Sequence, residues 1–172
     1  MGNVSVEWLA AISTGREYSI DEKKKGYAVP VTPWLHPPDG KRLRSLIIKL
    51  GTVRELERQE ILYPQDRKVS DIVLVQQGVT ARNFGHAVSA PKAAAISTPG
   101  HFACGNLNFM TRRPSLGNYF ALTKAQVVVC PKDLLLLVLT TDPELFAYTI
   151  RLLESCTLSD RLGFALMAFA SV

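Results

Sequence analysis

The chain contains few cysteines and no paired cysteine motif. Only three of its 172 residues are Cys, at Cys104, Cys130 and Cys156, and none belongs to a Cys-x-x-Cys pair. An odd and widely spaced set cannot build a disulfide framework, or a four-cysteine zinc or iron–sulfur site, within one chain. We therefore expect three free, buried thiols.

Long apolar runs are also missing. The longest uncharged ones, Leu134–Leu139 and Gly163–Val172, fall well short of the roughly 20 residues that cross a bilayer. The N-terminus has no basic start and only a short apolar piece, and Val6 stands where the myristoylation pattern needs Ser or Thr. These absences predict a cytoplasmic protein without a membrane partner.

Catalytic and metal-binding patterns are absent as well. The histidines, His36, His86 and His101, are isolated, and no Ser/His/Asp order, phosphate-binding glycine loop or carboxylate pair stands out. His101 and Cys104 lie three residues apart and are able to ligate a metal or a haem, but a third ligand is missing. An enzyme is therefore disfavoured and no cofactor is predicted, with haem or metal at His101 and Cys104 as the alternative.

What the sequence does have is the composition of a globular protein. It is 47% hydrophobic and 20% charged, enough to bury one sizeable core, so we expect one domain with extensions. The net charge of +5 is compatible with a nucleic-acid or acidic partner, but short scattered basic groups are explained equally well by solvated faces. Residues 1–40, with several prolines near their end, form an N-terminal arm.

Residues 41–141 predict a short helix followed by an all-β unit and a second short helix. Lys41–Leu50 has amphipathic spacing and is ended by Gly51, and Lys132–Leu139 forms the second helix. Between them, turn residues recur about every ten positions, which is typical of a sandwich or jelly roll. The predicted strands are Thr52–Leu56, Ile61–Tyr63, Asp71–Gln76, Val79–Phe84, Ala93–Thr98, Tyr119–Leu122 and Gln126–Cys130.

Residues 142–172 predict one long helix. Asp142 suits the cap and Pro143 the first helical position, and no proline follows. At 1.5 Å per residue, roughly 28 residues would extend about 40 Å, which is longer than one compact domain needs, so we expect the helix to pair with a second copy. The predicted dimer seam consists of Leu145, Tyr148, Leu152, Ser155, Ser159, Leu162, Leu166 and Phe169. An ordinary amphipathic helix lying on its own sheet is the alternative.

Three stretches, taken in order, resemble the effector domain of the Crp/Fnr family of bacterial transcription regulators. The first, ERQEILYPQDRKVSDIVLVQQGVTARN (57–83), is similar to the paired opening strands of that domain. Pro99-Gly100-His101-Phe102 resembles the turn into the ligand cradle. Ala121-Leu122-Thr123, Pro131 and Asp142-Pro143-Glu144-Leu145 resemble the closing strands and the start of the dimer helix.

The resemblance implies a cyclic-nucleotide-binding-like β jelly roll followed by a long C-terminal dimerisation helix. Family members normally carry a helix-turn-helix domain after that helix, and the sequence ends where it would begin. The chain is then either a fragment of a longer regulator or a protein whose DNA-reading part is absent.

The resemblance also locates a candidate ligand cradle within Gly100–Leu122. Cyclic-nucleotide binders of the family carry Gly-Glu and, about ten residues later, Arg-Ser or Arg-Thr; here Gly105-Asn106 and Ser115-Leu116 stand at those places. The ribose carboxylate and the phosphate arginine are thus replaced, and a charge-assisted arginine contact contributes about 1.5–3 kcal/mol that Ser cannot supply. Cyclic AMP binding in the usual manner is therefore not expected. The candidate ligand-binding residues are Phe102, Gly105, Asn106, Leu107, Arg113, Ser115, Leu116 and Tyr119.

The contents of this degenerate cradle stay open at this point. A shifted loop could bring Arg113 to an anion, although a solvent-facing pair with Arg112 is the default. Phe109 and the apolar residues among the candidates could line a pocket for a small hydrophobic ligand, but a self-filled core is favoured.

We therefore expect a homodimeric sensor domain of a Crp/Fnr-like transcription regulator, with DNA bound through a domain that is not in this chain. Its effector is either an unknown small molecule or none. An interaction module that binds a protein or a lipid-like molecule is the alternative, and a cupin-like metal enzyme is the least favoured.

Overall fold

The computed structural model describes residues 41–84, 92–105, 109–111 and 113–170. The predicted N-terminal arm, residues 1–40, lies outside these ranges. The helices are α1 (Lys41–Leu50), α2 (Lys132–Leu139) and α3 (Pro143–Ala170). The strands are β1 (Thr52–Leu56), β2 (Ile61–Tyr63), β3 (Asp71–Gln77), β4 (Thr80–Phe84), β5 (Lys92–Ser97), β6 (Phe102–Cys104), β7 (Asn118–Ala121) and β8 (Ala125–Pro131).

The strands form two antiparallel four-stranded sheets. Their strand orders are β1-β8-β3-β6 and β2-β7-β4-β5, so consecutive strands repeatedly change from one sheet to the other. In the second sheet β4 lies between β5 and β7, with Arg82 directly opposite Tyr119 and Thr80 opposite Ala121. This arrangement is the jelly roll that the turn spacing predicted.

Two hydrophobic cores lie on opposite faces of the first sheet. On the helix side, Ile72 and Leu74 of β3 pack with Leu43 and Ile47 of α1 and with Leu135 of α2. The other core fills the interior of the roll and contains Val73, Val75, Val127, Tyr119 and Ala121. Successive side chains of a strand point to opposite faces, so β3 supplies both cores, which is why its sequence is apolar at every position from Ile72 to Val75.

The long helix α3 begins as the sequence predicted. Oδ1 of Asp142 accepts a hydrogen bond from the backbone N–H of Leu145 at 3.0 Å, which satisfies one of the amides left free at a helix start. The helix then runs for 28 residues. Oδ2 of Asp142 also pairs with Arg42 of α1 at 2.9 Å, so the cap is tied to the neighbouring helix.

Each of the seven predicted strands is present, with ends that shift by at most one residue. Strand β6 is not among the predicted strands, because it has only three residues and lies between two glycine turns. Gly100 and Gly105, which flank it, both have positive φ, at 86° and 88°.

The three cysteines are buried and free, as the sequence predicted. Burial raises the pKa of all three thiols above the usual value, which keeps them protonated at neutral pH. Within the described part of the chain, no helix is both long and apolar enough to cross a membrane.

Candidate functional site

The predicted cradle begins at the end of β6, where Gly105 packs directly on β3. With φ at 88°, its backbone suits glycine, and a Cβ there would lie 2.2 Å from the carbonyl oxygen of Asp71. Close packing between strands is enough to account for this glycine. Asn106 and Leu107 lie outside the described residues.

Ser115, at the place of the expected arginine, forms hydrogen bonds with its own turn. Its hydroxyl donates to the carbonyl of Gly117 and accepts from the Gly117 N–H. Its backbone pairs with the loop after β2, because Ser115 N donates to Arg67 O at 2.8 Å and Ser115 O accepts from Asp66 N at 2.9 Å. The side chain is buried and serves the turn, and this geometry does not resemble an anion-binding group.

The other predicted cradle residues are divided among three environments. Phe102 and Phe109 belong to the helix-side core, and Tyr119 belongs to the roll interior. Leu116 is 73% exposed and Arg113 is also exposed. The described residues therefore do not come together as one apolar lining, because Leu116 is directed to solvent. Their part in ligand binding stays a prediction.

His101 and Cys104 lie in different environments. Nδ1 of His101 lies 2.9 Å from the Thr98 hydroxyl and 3.1 Å from the Thr98 carbonyl oxygen, so the ring is held by the turn before β6. Cys104 is fully buried in the roll core, with a raised pKa caused by desolvation. Among the described residues, no group of three His, Cys, Asp or Glu side chains is placed to hold a metal ion.

The predicted dimer seam divides into two parts along α3. Leu145 and Leu152 are buried in the helix-side core of their own chain, and Tyr148 packs against it. Ser155, Leu162 and Leu166 are half-buried, Ser159 is buried, and the side chain of Phe169 is not described. The N-terminal part of the seam thus lies on its own domain, as the alternative interpretation expected, and the pairing of two helices stays a prediction.

The structure adds a cluster that the sequence did not indicate, built around Arg82 of β4. Its side chain is only 4% exposed, and its Nη2 lies 3.6 Å from Oδ2 of Asp160 on α3. Nη1 of Arg82 lies 3.5 Å from the hydroxyl of Tyr119, and the guanidinium carbon lies 5.8 Å from the centre of the Tyr119 ring. This ion pair joins the second sheet to the long helix inside the protein.

Tyr119 and Thr80 complete this cluster. Burial raises the pKa of Tyr119, and the charge of Arg82 opposes the rise, so the phenol stays a neutral hydrogen-bonding group. Thr80 is buried, and its hydroxyl has no hydrogen-bond partner among the described residues. The register of β4 and β7 places Thr80 and Arg82 on the face that looks into the roll.

Comparison with solved structures shows the same fold in known regulators. A transcriptional regulator from Thermotoga maritima superposes with a TM-score of 0.59 at 19% identity, over 72% of this chain and 96% of that one. The catabolite activator protein of Thermus thermophilus gives 0.60 at 16% identity, over 74% of this chain and 60% of that one. The c-di-GMP-responsive global regulator CLP of Xanthomonas campestris gives 0.61 at 12% identity, over 76% of this chain and 65% of that one.

These comparisons confirm the predicted fold, a cyclic-nucleotide-binding-like jelly roll followed by a long helix. The chain spans less than two thirds of the Thermus and Xanthomonas proteins. No protein-family model matches the chain, and no curated protein matches it by sequence. The neighbours are regulators and not enzymes by their descriptions.

Proposed function

We propose that this chain is the sensor domain of a dimeric, Crp/Fnr-like transcription regulator that does not bind cyclic AMP in the usual manner. The observation that carries the proposal is the combination of this fold with a cradle turn in which Ser115 is bonded to Gly117. Solved structures with the same fold, including the Thermotoga transcriptional regulator and the Thermus catabolite activator protein, support the regulatory part.

The electrostatics of the turn support the exclusion of cyclic AMP. A cyclic phosphate buried in a jelly roll needs a cationic donor, since an uncompensated buried charge is costly. Ser115 carries no charge, and its hydroxyl already has a partner in its own turn. Arg113 is exposed, and Arg82, the buried cation of the roll, is paired with Asp160 instead.

The mechanism would couple the inside of the roll to the pairing of two α3 helices. A ligand that prefers one arrangement of the helices shifts the equilibrium between arrangements by its difference in affinity for them. In the full-length protein, a DNA-binding domain after α3 would report that shift. The N-terminal half of α3 is anchored in the helix-side core, so the C-terminal half is the part available for pairing.

Calorimetry with cyclic AMP and cyclic GMP tests the ligand part of the proposal. No heat of binding is expected at ligand concentrations up to the millimolar range. Binding with micromolar affinity would contradict the role assigned to Ser115.

Sedimentation equilibrium tests the dimer. The wild-type chain is expected to sediment as a dimer, and Leu162→Glu, at a half-buried position of the predicted seam, is expected to give a folded monomer. Leu137→Glu is the matched control, because it makes the same change at an exposed leucine of α2. A wild-type chain that stays monomeric at high concentration would rule out this assembly.

The reading frame downstream of Val172 tests the proposed DNA-binding domain. If it encodes a helix-turn-helix domain, the proposal that the chain is part of a transcription regulator is supported.

A further inference from the structure

Arg82 occupies an unusual place for a permanent cation. It lies on a central strand of the second sheet, directly opposite Tyr119, and Tyr119 belongs to the core of the roll. Opposed residues of an antiparallel pair have their side chains on the same face. The guanidinium is therefore directed into the roll interior, where a buried charge requires an anionic partner.

An anionic partner is supplied by the helix α3. Asp160 of α3 is 6% exposed, and its carboxylate oxygen lies 3.6 Å from Nη2 of Arg82. Charge-assisted hydrogen bonds from a guanidinium are usually about 2.7–2.9 Å long. The contact between Arg82 and Asp160 is thus longer than a charge-assisted hydrogen bond from a guanidinium.

Thr80 provides an independent indication that this site takes a ligand. Thr80 is 2% exposed, and its hydroxyl has no hydrogen-bond partner among the described residues. Thr80 lies two residues before Arg82 and opposite Ala121, which belongs to the roll core, so both side chains share one face. Buried hydroxyls in proteins are nearly always paired, and a bound group with oxygen atoms would supply the missing partner.

We propose that Thr80, Arg82 and Tyr119 form a binding site for a small anion with carboxylate or phosphate oxygens, and that Asp160 is the internal competitor for it. In the ligand-free chain the Asp160 carboxylate neutralises Arg82. An anion that reaches the site accepts hydrogen bonds from Arg82, Thr80 and Tyr119 and displaces Asp160, which releases α3 from the second sheet. The inference deepens the proposed function and rests on it, since it names an effector class for the proposed sensor domain.

The test uses inorganic phosphate and acetate as probes, with sodium chloride at equal ionic strength as the reference. Thermal unfolding and calorimetry are measured for the wild-type chain, Asp160→Asn, and the double variant Asp160→Asn/Arg82→Gln. Asp160→Asn removes the competing carboxylate. It should tighten phosphate or acetate binding by at least about tenfold, because the state in which Arg82 is open to an anion is no longer a minor one. The double variant should bind neither probe. The stronger of the two probes identifies the oxygen chemistry.

Thr80→Val is the second variant, and it is expected to fold because it removes a hydroxyl that has no described partner. In the Asp160→Asn background it should weaken probe binding several-fold while circular dichroism stays unchanged. Within the wild-type chain, shifts of the amide resonances of β4 on phosphate addition provide a readout that needs no destabilised variant.

Two results would overturn the inference: equal affinity of the wild-type chain and Asp160→Asn for both probes, or binding that survives the loss of Arg82. An adventitious surface ion would give the second result. This test can fail independently of the proposed function. It measures whether phosphate or acetate binding depends on Arg82, whereas the proposed function is tested by cyclic-nucleotide binding and by the oligomeric state.

Discussion

The ion pair between Arg82 and Asp160 should dominate the response of this domain to single substitutions. Their side chains are 4% and 9% exposed, and the charged atoms lie 3.6 Å apart. With an effective dielectric constant of about 20, Coulomb attraction at this separation is about 5 kcal/mol. Removing one partner of such a buried pair typically costs about 3–5 kcal/mol, because the other charge stays buried after its ion-pair partner is lost.

We therefore expect Asp160→Asn to lower the free energy of unfolding by about 3–5 kcal/mol and Tm by roughly 10 °C in a chain of this size. The double variant Arg82→Met/Asp160→Leu, which removes both charges, should lie within about 2 kcal/mol of the wild-type chain. Urea unfolding followed by circular dichroism measures both, and an unchanged m-value verifies that the comparison is valid.

Arg54→Met is the matched control. Arg54 and Glu60 are 2.8 Å apart, closer than Arg82 and Asp160, but their side chains are 46% and 37% exposed. Exposed pairs are screened by water, so this substitution should leave Tm nearly unchanged. If Asp160→Asn proved as mild as Arg54→Met, the buried pair would be no stronger than a surface contact, and the reasoning on its role would fail.

The remaining predictions concern pH, backbone geometry and the helix cap. Burial raises the pKa of Cys156 to about 12 from an ordinary value of 9.0, so above pH 9 the unfolded chain loses a proton that the folded chain keeps. Stability should then fall by about 1.4 kcal/mol per pH unit for this thiol between pH 9 and 12, and urea titrations of Cys156→Ala should show a shallower fall. Gly105→Ala should cost more than about 2 kcal/mol, because its Cβ would strike the Asp71 carbonyl, whereas Gly100→Ala, with a similar φ, meets only the mobile end of Arg44. Asp142→Ala should cost about 1 kcal/mol through the lost cap, and an equal loss in Arg42→Ala would show instead that the ion pair is responsible. Chemical denaturation at neutral pH measures these last changes.

Strand positions were predictable because local chemistry determines them. The ends of β1 and β2 follow from the turn residues around them, and the uninterrupted apolar run of β3 follows from burial on both faces. Strand β6 was not predictable, because three residues are too few to show an alternation of apolar and polar side chains. The start of α3 was predictable because Asp142 and Pro143 act within one turn of the helix.

The candidate site was only partly predictable. Sequence position indicates that the arginine expected at residue 115 is missing, but it does not identify Arg82 as the interior cation. Thr80 and Arg82 are polar positions on either side of Ala81 in β4, a pattern that ordinarily marks the solvent face of a strand. Their pairing with Tyr119 and Asp160 depends on strand register and on the path of α3, which bring together residues 78 positions apart in the case of Arg82 and Asp160.

The position of Asp160 along α3 connects the proposed anion site to the part of the helix that is predicted to pair with a second copy. Leu145 and Leu152 anchor the first half of the helix in the helix-side core, and those contacts do not involve Arg82. Asp160 is two residues before Leu162, the first half-buried position of the predicted seam after Ser159. Loss of the Arg82–Asp160 contact would therefore remove one tie between the second sheet and the segment that is proposed to pair, while the anchored half stays in place. An anion at Arg82 and a second copy of the chain would then bias the same segment, and linkage requires each to change the affinity for the other by the same factor.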